Sequence, residues 1–585
     1  ARLCYDVVKM SWVEELLEHS LRAGEHILAN RGLEQRKRLG QFLTPPPIAR
    51  YMARQIGPLQ SGDRILDPAI GSGVLACAVV EQAVQSGKPL QLTIDGYEID
   101  PELAQVAREV LAQASERAAQ SGVELSARVH ECDFILAHAP LGPIFDISEL
   151  CTCYDRIIAN PPYFKLNRAD SRVQAVEDVV NGYTNVYTLF MAISLRHLHP
   201  SGRACFIVPR SFCSGAYFAA FRRDFVRQAA PVAVHLFASR EEVFGQGGVL
   251  QENVILTFRA RQSERERPDG HESVLVSTSH SAADLRPDTV GREVPLSLFL
   301  GTRDGNTFFR LPTDELEETV VRTVDRWGGS LEHYGLRVST GPVVAFRARA
   351  LLSADTSMVR SGIAAPLLWM QNVRAQRVDW PVTRCNKPQA ILLSPDSRKL
   401  LVPLQNYVLL RRFSAKEERR RLVAAPLLAA DLSGVCQHIG LENHLNYVYR
   451  AGGVLTEAEA IGLSALLNSR VVDLYFRAMN GNTQVNAADL RALPLPPIEI
   501  IERIGHAAMA ADREADSDVA TISVLHDAGL VPALLTEARC ARDDGEDRGS
   551  TGHLAIPGIA IATTERDISP DFACACAVVR DHAVE

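Results

Sequence analysis

The tetrapeptide Asn160–Tyr163 (Asn-Pro-Pro-Tyr) combines side chains that suit methyl transfer to a planar amino group. Asn160 can accept an N–H bond through its side-chain carbonyl. Pro161 and Pro162 fix an extended loop that leaves the Pro161 carbonyl as a second acceptor. Tyr163 supplies a flat face on which the ring that bears the amine can stack. The motif alone is weak, because Asn-Pro is also an ordinary turn starter.

A glycine-rich loop upstream has the geometry of a ligand-binding strand–loop–helix unit. A short apolar strand is predicted at 64–66 and a helix at 74–80, with the loop between them. The backbone N–H groups of such a loop and the helix N-terminus face a bound ligand. The spacing is not G-x-G-x-x-G, which disfavours a dinucleotide. The candidate ligand-binding residues of the loop are Asp67, Ala69, Gly71 and Gly73.

Two further predicted strands end in residues that suit a nucleoside. One ends at Glu98 and Ile99, where the carboxylate can accept hydrogen bonds from both ribose hydroxyls. The next ends at Asp133 and Phe134, where the acid can accept from an adenine amino group and the ring can pack on the base. Because ligands bind at the carboxyl ends of strands in open α/β sheets, the strand ends predict one shared site.

A fourth motif, Gly40–Pro46 (Gly-Gln-Phe-Leu-Thr-Pro-Pro), stands ahead of the glycine loop. Together the motifs resemble class I S-adenosylmethionine-dependent methyltransferases that modify amino groups in nucleic acid. In that family such a motif cradles the methionine end of the cofactor, and Thr44 and Pro45 are the matching positions. The motif order resembles gamma-class DNA adenine-N6 methyltransferases, in particular the PstI/BsuBI-type modification methylases, from about Gly40 to Pro497.

The resemblance implies S-adenosyl-L-methionine as cofactor and an α/β class I methyltransferase fold, Rossmann-like, with a mixed, mostly parallel sheet and helices on both faces. A C-terminal α+β target-recognition domain would follow. The implied cofactor contacts are Thr44, Pro45, Asp67, Ala69, Gly71, Gly73, Glu98, Ile99, Asp133, Phe134 and Asn160. The expected organisation is an N-terminal helical segment (1–39), the catalytic domain (40–262), a connecting region (263–330), the target-recognition domain (331–500) and an acidic appendage (501–585).

The resemblance also implies that the target adenine is flipped out of the duplex and held between two aromatic rings. Phe244 matches the second position, so Tyr163 and Phe244 would sandwich the base; an ordinary core role for Phe244 is the alternative. The amine can attack the methyl group directly, so polarisation by Asn160 and the Pro161 carbonyl supplies the catalysis. Flipping is costly, and stacking worth ~1–3 kcal/mol per base offsets it. Nothing in this pattern requires a metal.

Charge is distributed unevenly along the 585 residues, whose formal net charge is −8. Residues 331–421 contain 16 lysines and arginines against 6 acidic residues, a net of +10. Residues 501–585 contain 7 against 16, a net of −9. A local positive field attracts phosphate whatever the total charge. The basic middle segment therefore predicts the DNA-binding part, and no function is assigned to the acidic end.

Side chains that read base edges cluster in and after this basic segment. Arg, Gln and Asn read guanine and adenine edges in the major groove, and clustered Arg also holds phosphates. The candidate DNA contacts are Gln371, Asn372, Arg374, Arg411, Arg412, Asn482, Gln484 and Asn486. A helix-like pattern at 456–478 precedes the last three. Two alternatives remain open: residues 416–421 could form a solvated charged helix, and Asn486 or Asp489 could cap a short helix.

The remaining features favour an intracellular enzyme without a metal. The 12 cysteines include two C-x-C pairs, Cys151/Cys153 and Cys574/Cys576, and neither has a second pair at zinc-ligand spacing. No apolar run reaches the ~18 residues of a membrane span, and there is no signal-peptide pattern. A cytoplasmic, nucleoid-associated bacterial protein is expected, which binds double-stranded DNA as a monomer. Translation is expected to begin at Met10.

A separate cognate restriction endonuclease is expected, because no acid-acid-lysine nuclease cluster stands out beyond the methyltransferase motifs. Several other functions use similar residues. Protein-glutamine methyltransferases of the release-factor type share Asn-Pro-Pro-Tyr, but they usually end soon after the last strand of the fold. Cytosine-N4 methylation is chemically close, although Ser is more usual there at the position of Asn160. An RNA substrate and a non-catalytic DNA-binding specificity protein complete the alternatives.

Overall fold

The computed structural model describes residues 2–537 with short gaps. The gaps lie at 32–39, 41, 139–152, 177–183, 239–251, 262–271, 287, 304, 384–385, 415–417, 482 and 512–513. Phe244 and Asn482 fall in these gaps, so the roles predicted for them lie outside the described residues. Residues 1–536 form one compact unit. Among the helices of the described ranges, none is both long and apolar enough to cross a membrane.

The first part of the chain alternates helices and strands. In chain order its elements are α1 (Arg2–Ala29), α2 (Pro46–Gln55), β1 (Arg64–Asp67), α3 (Val74–Gln85), β2 (Leu90–Glu98), α4 (Pro101–Ala119), β3 (Val123–Glu131), α5 (Phe134–Ala137), β4 (Tyr154–Ala159), β5 (Lys165–Leu166), α6 (Ser171–Gln174), β6 (Thr184–Asn185), α7 (Val186–Arg196), β7 (Leu198–Pro209), α8 (Ala219–Gln228), β8 (Ala229–Phe237), β9 (Asn253–Ala260), β10 (Ser273–Ser279), β11 (Arg292–Pro295) and α9 (Leu296–Phe299). Single 3-10 turns at Arg210–Cys213 and Ala216–Phe218 follow β7.

Nine of these strands form one sheet in the order β11-β10-β8-β9-β7-β4-β1-β2-β3. Strands β1, β2, β3, β4 and β7 are parallel, and β9 runs antiparallel between β7 and β8. Side-chain alternation along β4 places Ile157 and Ala159 in the core on one face and Ile158 in the core on the other. Both faces are therefore covered, as parallel strands require. The predicted class I methyltransferase fold is confirmed.

Strands β10 and β11 come from the region expected to be a connector, and they extend the catalytic sheet at the edge beside β8. They pair with each other in antiparallel fashion from Ser273 to Val276 and from Arg292 to Pro295. The domain boundaries proposed from the sequence, including the one at 262, remain predictions.

The second part of the chain mixes antiparallel strands with helices, as the α+β prediction describes. Its elements are β12 (Leu300–Arg303), β13 (Asn306–Phe309), α10 (Glu315–Val324), β14 (Leu336–Thr340), β15 (Leu352–Ser353), α11 (Ser357–Arg360), β16 (Ala364–Leu368), β17 (Val373–Arg374), β18 (Arg377–Val378), β19 (Ala390–Leu392), β20 (Leu401–Pro403), β21 (Tyr407–Arg411), β22 (Ala424–Leu427), α12 (Ala429–Leu432), β23 (His438–Leu441), β24 (Leu445–Arg450), α13 (Glu457–Asn468), α14 (Arg470–Met479), α15 (Ala487–Arg491), α16 (Ile498–Met509), α17 (Glu514–Asp527) and α18 (Ala533–Glu537). Two sheets organise it, in the orders β14-β24-β21-β22 and β15-β19-β16-β23-β20.

Two local predictions differ from the structure. The single helix-like pattern at 456–478 is two helices, because Ser469 adopts an extended backbone that ends α13 and caps α14 through its hydroxyl. The described part of the charged stretch 416–421 is not helical, and Arg421 is buried. Its guanidinium Nε donates to Ser414 Oγ at 3.1 Å, so Arg421 is a structural residue and not part of a solvated face.

Arg210 connects the two parts of the fold. It follows β7, and its Nη1 donates to Glu252 Oε1 at 2.9 Å in a buried ion pair. Its Nη2 donates to the backbone carbonyls of Arg477 and Ala478 at 2.8 and 2.9 Å, where α14 ends. A buried charge is costly unless it is paired and hydrogen-bonded, so these bonds hold the end of α14 at the edge of the catalytic sheet.

The close packing of α13 on α16 provides a test of the second part of the fold. A Cβ added at Gly462 would meet Ile501 O at 1.9 Å and Gly505 N at 2.8 Å. We expect Gly462→Ala to lower the free energy of unfolding by about 1–3 kcal/mol, because the helices must separate. Chemical denaturation measures this change, with Gly328→Ala as control, since a Cβ there meets nothing within 4 Å. Equal unfolding midpoints for the two variants would contradict the packing.

Candidate active site

A cavity of about 690 Å³ lies at the carboxyl ends of β1, β2, β3 and β4. Parallel strands bring these ends to one edge of the sheet, which is why motifs far apart in sequence meet there. The predicted residues that line the cavity are Thr44, Ala69, Gly71, Glu98, Ile99, Asp133, Phe134, Asn160 and Pro162. The predicted residues Pro45, Asp67, Gly73, Pro161 and Tyr163 adjoin these in sequence without lining it.

Asn160 is held by the loop that precedes α2. Its Nδ2 donates to the Phe42 carbonyl at 2.9 Å and to Thr44 Oγ1 at 3.1 Å. A backbone carbonyl can only accept, so the Phe42 carbonyl fixes which end of the amide carries the nitrogen. The Asn160 side-chain carbonyl is thereby directed away from this loop. The Gly40–Pro46 motif and the Asn-Pro-Pro-Tyr motif therefore form one site.

Gly40 permits the close approach of these two motifs. Its φ is 62°, in the left-handed region that glycine tolerates best. A Cβ at this position would meet the backbone nitrogen of Tyr163 at 2.5 Å and Pro162 Cβ at 3.1 Å. Any larger residue would therefore push the loop away from Asn160, because the opposing atoms include backbone.

Tyr163 is oriented by two hydrogen-bond acceptors. Its hydroxyl lies 2.7 Å from Asn160 Oδ1 and 2.8 Å from the Ile207 carbonyl. The phenol has one proton, so it can be donated to either acceptor. The Tyr163 ring is only 6% exposed and lies edge-on to Tyr187, with ring centroids 6.2 Å apart. Its predicted stacking on the target base therefore stays a prediction.

Glu98 reaches from the end of β2 to the glycine loop. Its Oε2 accepts from the Gly71 N–H at 3.0 Å, and its Oε1 accepts from the Asp100 N–H at 2.9 Å. Burial raises the pKa of Glu98 to about 7, and the two N–H donors act in the opposite direction. A carboxylate in this environment takes further donors readily when it is ionised, which suits vicinal hydroxyl groups.

Asp67, at the end of β1, is an almost fully buried acid. Its Oδ1 accepts from the Ala69 N–H at 3.2 Å, whereas no partner for its Oδ2 is found among the described residues. Burial, with a smaller contribution from the nearby Glu98 carboxylate, raises the pKa of Asp67 to about 8, while the Ala69 N–H acts in the opposite direction. Asp67 is therefore protonated near neutral pH, and its bond from the Ala69 N–H holds the start of the glycine loop.

Asp133 and Phe134 lie at the end of β3, as predicted. Asp133 Oδ1 accepts from two backbone N–H groups of α5 at 2.8 and 3.1 Å, and Oδ2 lies 3.8 Å from Arg172 Nη1. The Phe134 ring stacks with that of Phe190, with centroids 5.6 Å apart. Ile99 presents an exposed apolar side chain to the same cavity. The arrangement combines a carboxylate edge with apolar faces.

Several lining residues escaped the sequence analysis. Arg31, just beyond α1, pairs with Asp100 and with Glu102, and together with Leu28 it closes one side of the cavity. Asp100 carried a usable signal, because Asp-Pro at a helix start is a typical N-cap, and it caps α4. Arg31 carried none, since its partners lie 69 and 71 residues away.

The candidate DNA contacts at 371–374 separate into exposed and buried residues. Gln371 is exposed, and the Arg374 side chain is 68% exposed. Asn372 is buried: its Oδ1 accepts from the Trp369 N–H at 2.8 Å and its Nδ2 donates to the Asp379 carbonyl at 2.7 Å. Both ends of this amide hold a turn, which removes Asn372 from the surface that a DNA contact needs.

The other candidates lie together near the start of β24. Arg411 Nε donates to the Val373 carbonyl at 2.7 Å, and Arg412 Nη1 donates to the Asn443 carbonyl at 3.1 Å. With its amide oriented to face Arg412, the Gln484 oxygen accepts from that guanidinium at 2.9 and 3.1 Å. Asn486 is the N-cap of α15 in a capping box with Asp489, as the helix-cap alternative predicted.

Several known proteins are similar to this chain in sequence. A family model described as N-6 DNA Methylase matches residues 22–265. The Type II methyltransferase M.PstI of Providencia stuartii is 34% identical over 481 residues, which cover 82% of this chain and 91% of that protein. M.BsuBI of Bacillus subtilis is 31% identical over 486 residues, covering 82% and 92%. The chain belongs to this family of Type II DNA methyltransferases.

Membership confirms the resemblance inferred from the motifs and the predicted enzyme class, a DNA N6-methyltransferase of the restriction–modification type. Solved structures with weaker similarity include the type IIG restriction endonuclease BpuSI, at 13% identity over 87% of this chain and 68% of that chain, with a TM-score of 0.37. The DrdV–DNA complex is 14% identical over 85% and 60%, with a TM-score of 0.45. Such scores carry no functional argument.

The buried acid behind the glycine loop predicts a pH dependence of stability. The pKa of Asp67 is raised to about 8, so the folded state keeps a proton that the unfolded chain loses near pH 4. Its contribution to stability is present below the unfolded pKa and is lost as pH rises through about 8. We expect the melting temperature of ligand-free methyltransferase to fall from pH 5 to 8.5 more steeply than that of Asp67→Asn. Parallel curves in differential scanning fluorimetry would contradict this.

Proposed function

We propose that the methyltransferase transfers the methyl group of S-adenosyl-L-methionine to N6 of an adenine flipped out of duplex DNA. The observation that carries this is the contact of Asn160 with Phe42 and Thr44 at the edge of the cavity that Glu98 and Asp133 also line. A residue suited to hold an amino group thus adjoins a site suited to a nucleoside. Such proximity converts a bimolecular reaction into an effectively unimolecular one.

The cavity residues fit the cofactor chemically. The cavity volume falls within the range of small-molecule sites, about 300–1,000 Å³. We propose that Glu98 accepts hydrogen bonds from the ribose hydroxyls and Asp133 accepts one from the adenine amino group. Phe134 and Ile99 pack on the adenine ring of the cofactor. The carboxylates that line the cavity, Glu98, Asp100 and Asp133, complement a cation. When bound, S-adenosyl-L-methionine supplies an electrophilic methyl group on a sulfonium.

Asn160 and the Pro161 carbonyl hold the target amine in this proposal. The Nδ2 bonds to the Phe42 carbonyl and Thr44 orient the amide, so its Oδ1 is the atom that accepts from the amine. Oδ1 has two lone pairs, and one can take the amine while Tyr163 keeps the other or donates to the Ile207 carbonyl instead. Two accepted N–H bonds aim the nitrogen lone pair at the methyl group. Neither acceptor is a strong base, so the proton is released to solvent after the bond forms.

DNA is held in this proposal by the basic second part of the chain. Its cations and amides include the exposed Gln371 and Arg374 and the half-buried Arg412, which suit phosphates and base edges. The proposal includes a cognate restriction endonuclease as a separate protein and a monomeric methyltransferase. A monomer of 64.1 kDa in light scattering would support the latter.

The proposed reaction is tested by long-read sequencing of DNA from a methylation-deficient host that expresses the chain. N6-methyladenine at one short motif is expected, and Asn160→Ala should lose it, with turnover at least about 100-fold lower. N4-methylcytosine would contradict the proposed base, and unmodified DNA from folded, cofactor-binding protein would contradict the substrate. Retained cofactor affinity in Asn160→Ala is the control that separates catalysis from binding.

The raised pKa of Glu98 predicts how cofactor affinity depends on pH. The ribose hydroxyls donate to the ionised carboxylate, whereas burial raises its pKa to about 7. The dissociation constant for S-adenosyl-L-methionine is therefore expected to increase about tenfold per unit as pH falls below about 7, and to be flat above it. Calorimetry measures this, and Glu98→Gln should remove the dependence. A wild-type affinity that is constant from pH 5.5 to 8 would exclude the role of Glu98.

A further inference from the structure

One end of β24 is connected by contacts to the edge of the catalytic sheet where Asn160 is found. At this end Asn446 Nδ2 donates to the Val485 carbonyl at 2.8 Å. Gly481 faces the Arg210 side chain. Arg210 follows β7, which pairs with β4, and β4 leads directly into Asn160. The start of β24 is therefore connected to the strand end that carries Asn160.

Four side chains near this end of β24 form a continuous surface. The Arg412 N–H donates to the His444 carbonyl at 2.9 Å, and Phe413 forms a β-bridge with Gln484. The Phe413 and His444 rings lie 5.2 Å apart. The side-chain oxygen of Gln484 accepts from Arg412. A cation, an amide, an imidazole and a partly exposed aromatic ring are thus fixed relative to one another.

Tyr217 is an exposed aromatic residue on the catalytic part of the fold. It belongs to the turn that follows β7, and it is 66% exposed. The adjacent Phe218 packs on Tyr187, which in turn contacts Tyr163 of the Asn-Pro-Pro-Tyr loop. The turn that carries Tyr217 therefore packs against the loop of Asn160.

His444 is positioned by a buried carboxylate. Glu442 is 1% exposed, and its Oε1 lies 2.6 Å from His444 Nδ1 while its Oε2 accepts from the His444 N–H at 2.9 Å. A carboxylate accepts at Nδ1 only when that nitrogen carries the proton, so the other ring nitrogen, Nε2, is the acceptor of the neutral ring. Such a carboxylate–histidine pair fixes both the tautomer and the ring orientation of a partly exposed histidine.

We propose that His444 reads a base edge of the duplex beside the flipped adenine, as part of the surface formed with Arg412, Phe413 and Gln484, and that Glu442 is its positioning residue. The inference rests on the proposed function. With Nδ1–H donated to Glu442, Nε2 accepts from an exocyclic amino group, which adenine and cytosine present in the major groove. The adjacent Arg412 supplies positive charge that attracts the phosphate backbone of the DNA.

His444→Ala tests the proposal, with His333→Ala as a matched control. His333 is exposed, and like His444 it lies against a neighbouring aromatic ring, that of Tyr334 at 5.1 Å. It precedes β14, whose Leu336 pairs with Arg450, so it lies at the opposite end of β24. We expect His444→Ala to raise the dissociation constant for a duplex with the wild-type motif about 5- to 100-fold and to relax the motif at one base pair in long-read sequencing. His333→Ala should change neither.

Glu442→Gln should relax the same base pair more weakly, and His444→Gln, whose amide reaches the position of Nε2, should restore part of the affinity. Methylation at the unaltered motif by His444→Ala with wild-type affinity would overturn the inference. So would a lower salt dependence of binding without motif relaxation, since that identifies a phosphate contact. Failure of wild-type protein to methylate DNA would instead overturn the proposed function, which separates the two claims.

Discussion

The geometry of the site depends on the hydrogen bonds of the Asn160 amide. Its nitrogen donates to the Phe42 carbonyl and to Thr44 Oγ1, so its oxygen is the end that can accept from a substrate amine. The bond requires the loop before α2 to lie directly on the Asn-Pro-Pro-Tyr loop. Gly40 makes that approach possible, because a side chain there would collide with the Tyr163 backbone. A contact within the protein thus sets which end of the Asn160 amide faces away from the loop.

The same logic extends from the catalytic loop to the surface that would meet DNA. Arg210 is buried with Glu252 and also binds the carbonyls at the end of α14, so the second part of the chain is fixed to the sheet edge by charge-assisted bonds. Removing one partner of a buried ion pair destabilises the fold far more than a surface ion pair stabilises it. The Arg412–His444 surface therefore has a defined position relative to Asn160. Accurate placement of a flipped base needs such a connection.

The sequence predicted the parts of the molecule that obey short-range rules. Apolar alternation and strand-end residues located the sheet and put Glu98, Asp133 and Asn160 at one edge. The same rules failed where a polar residue satisfies the backbone internally: Asn372 suggested a DNA contact but holds a turn, and Ser469 breaks an apparently continuous helix. They also missed Arg31 and His444, since a lone Arg or His has no spacing signal. The partners of Arg31 are specified only by the folded chain, as is the Asn160–Phe42 bond, which spans 118 residues.

The role of Asn160 can be checked in a structure of the methyltransferase with a non-reactive cofactor analogue and its duplex motif. We expect the adenine N6 atom about 2.7–3.2 Å from Asn160 Oδ1, with Nδ2 still bound to the Phe42 carbonyl, which identifies the nitrogen by its partner. We also expect the cofactor ribose to bind Glu98. A reversed amide, from which Phe42 no longer accepts, or a target amine held by other residues, would rule out this role of Asn160.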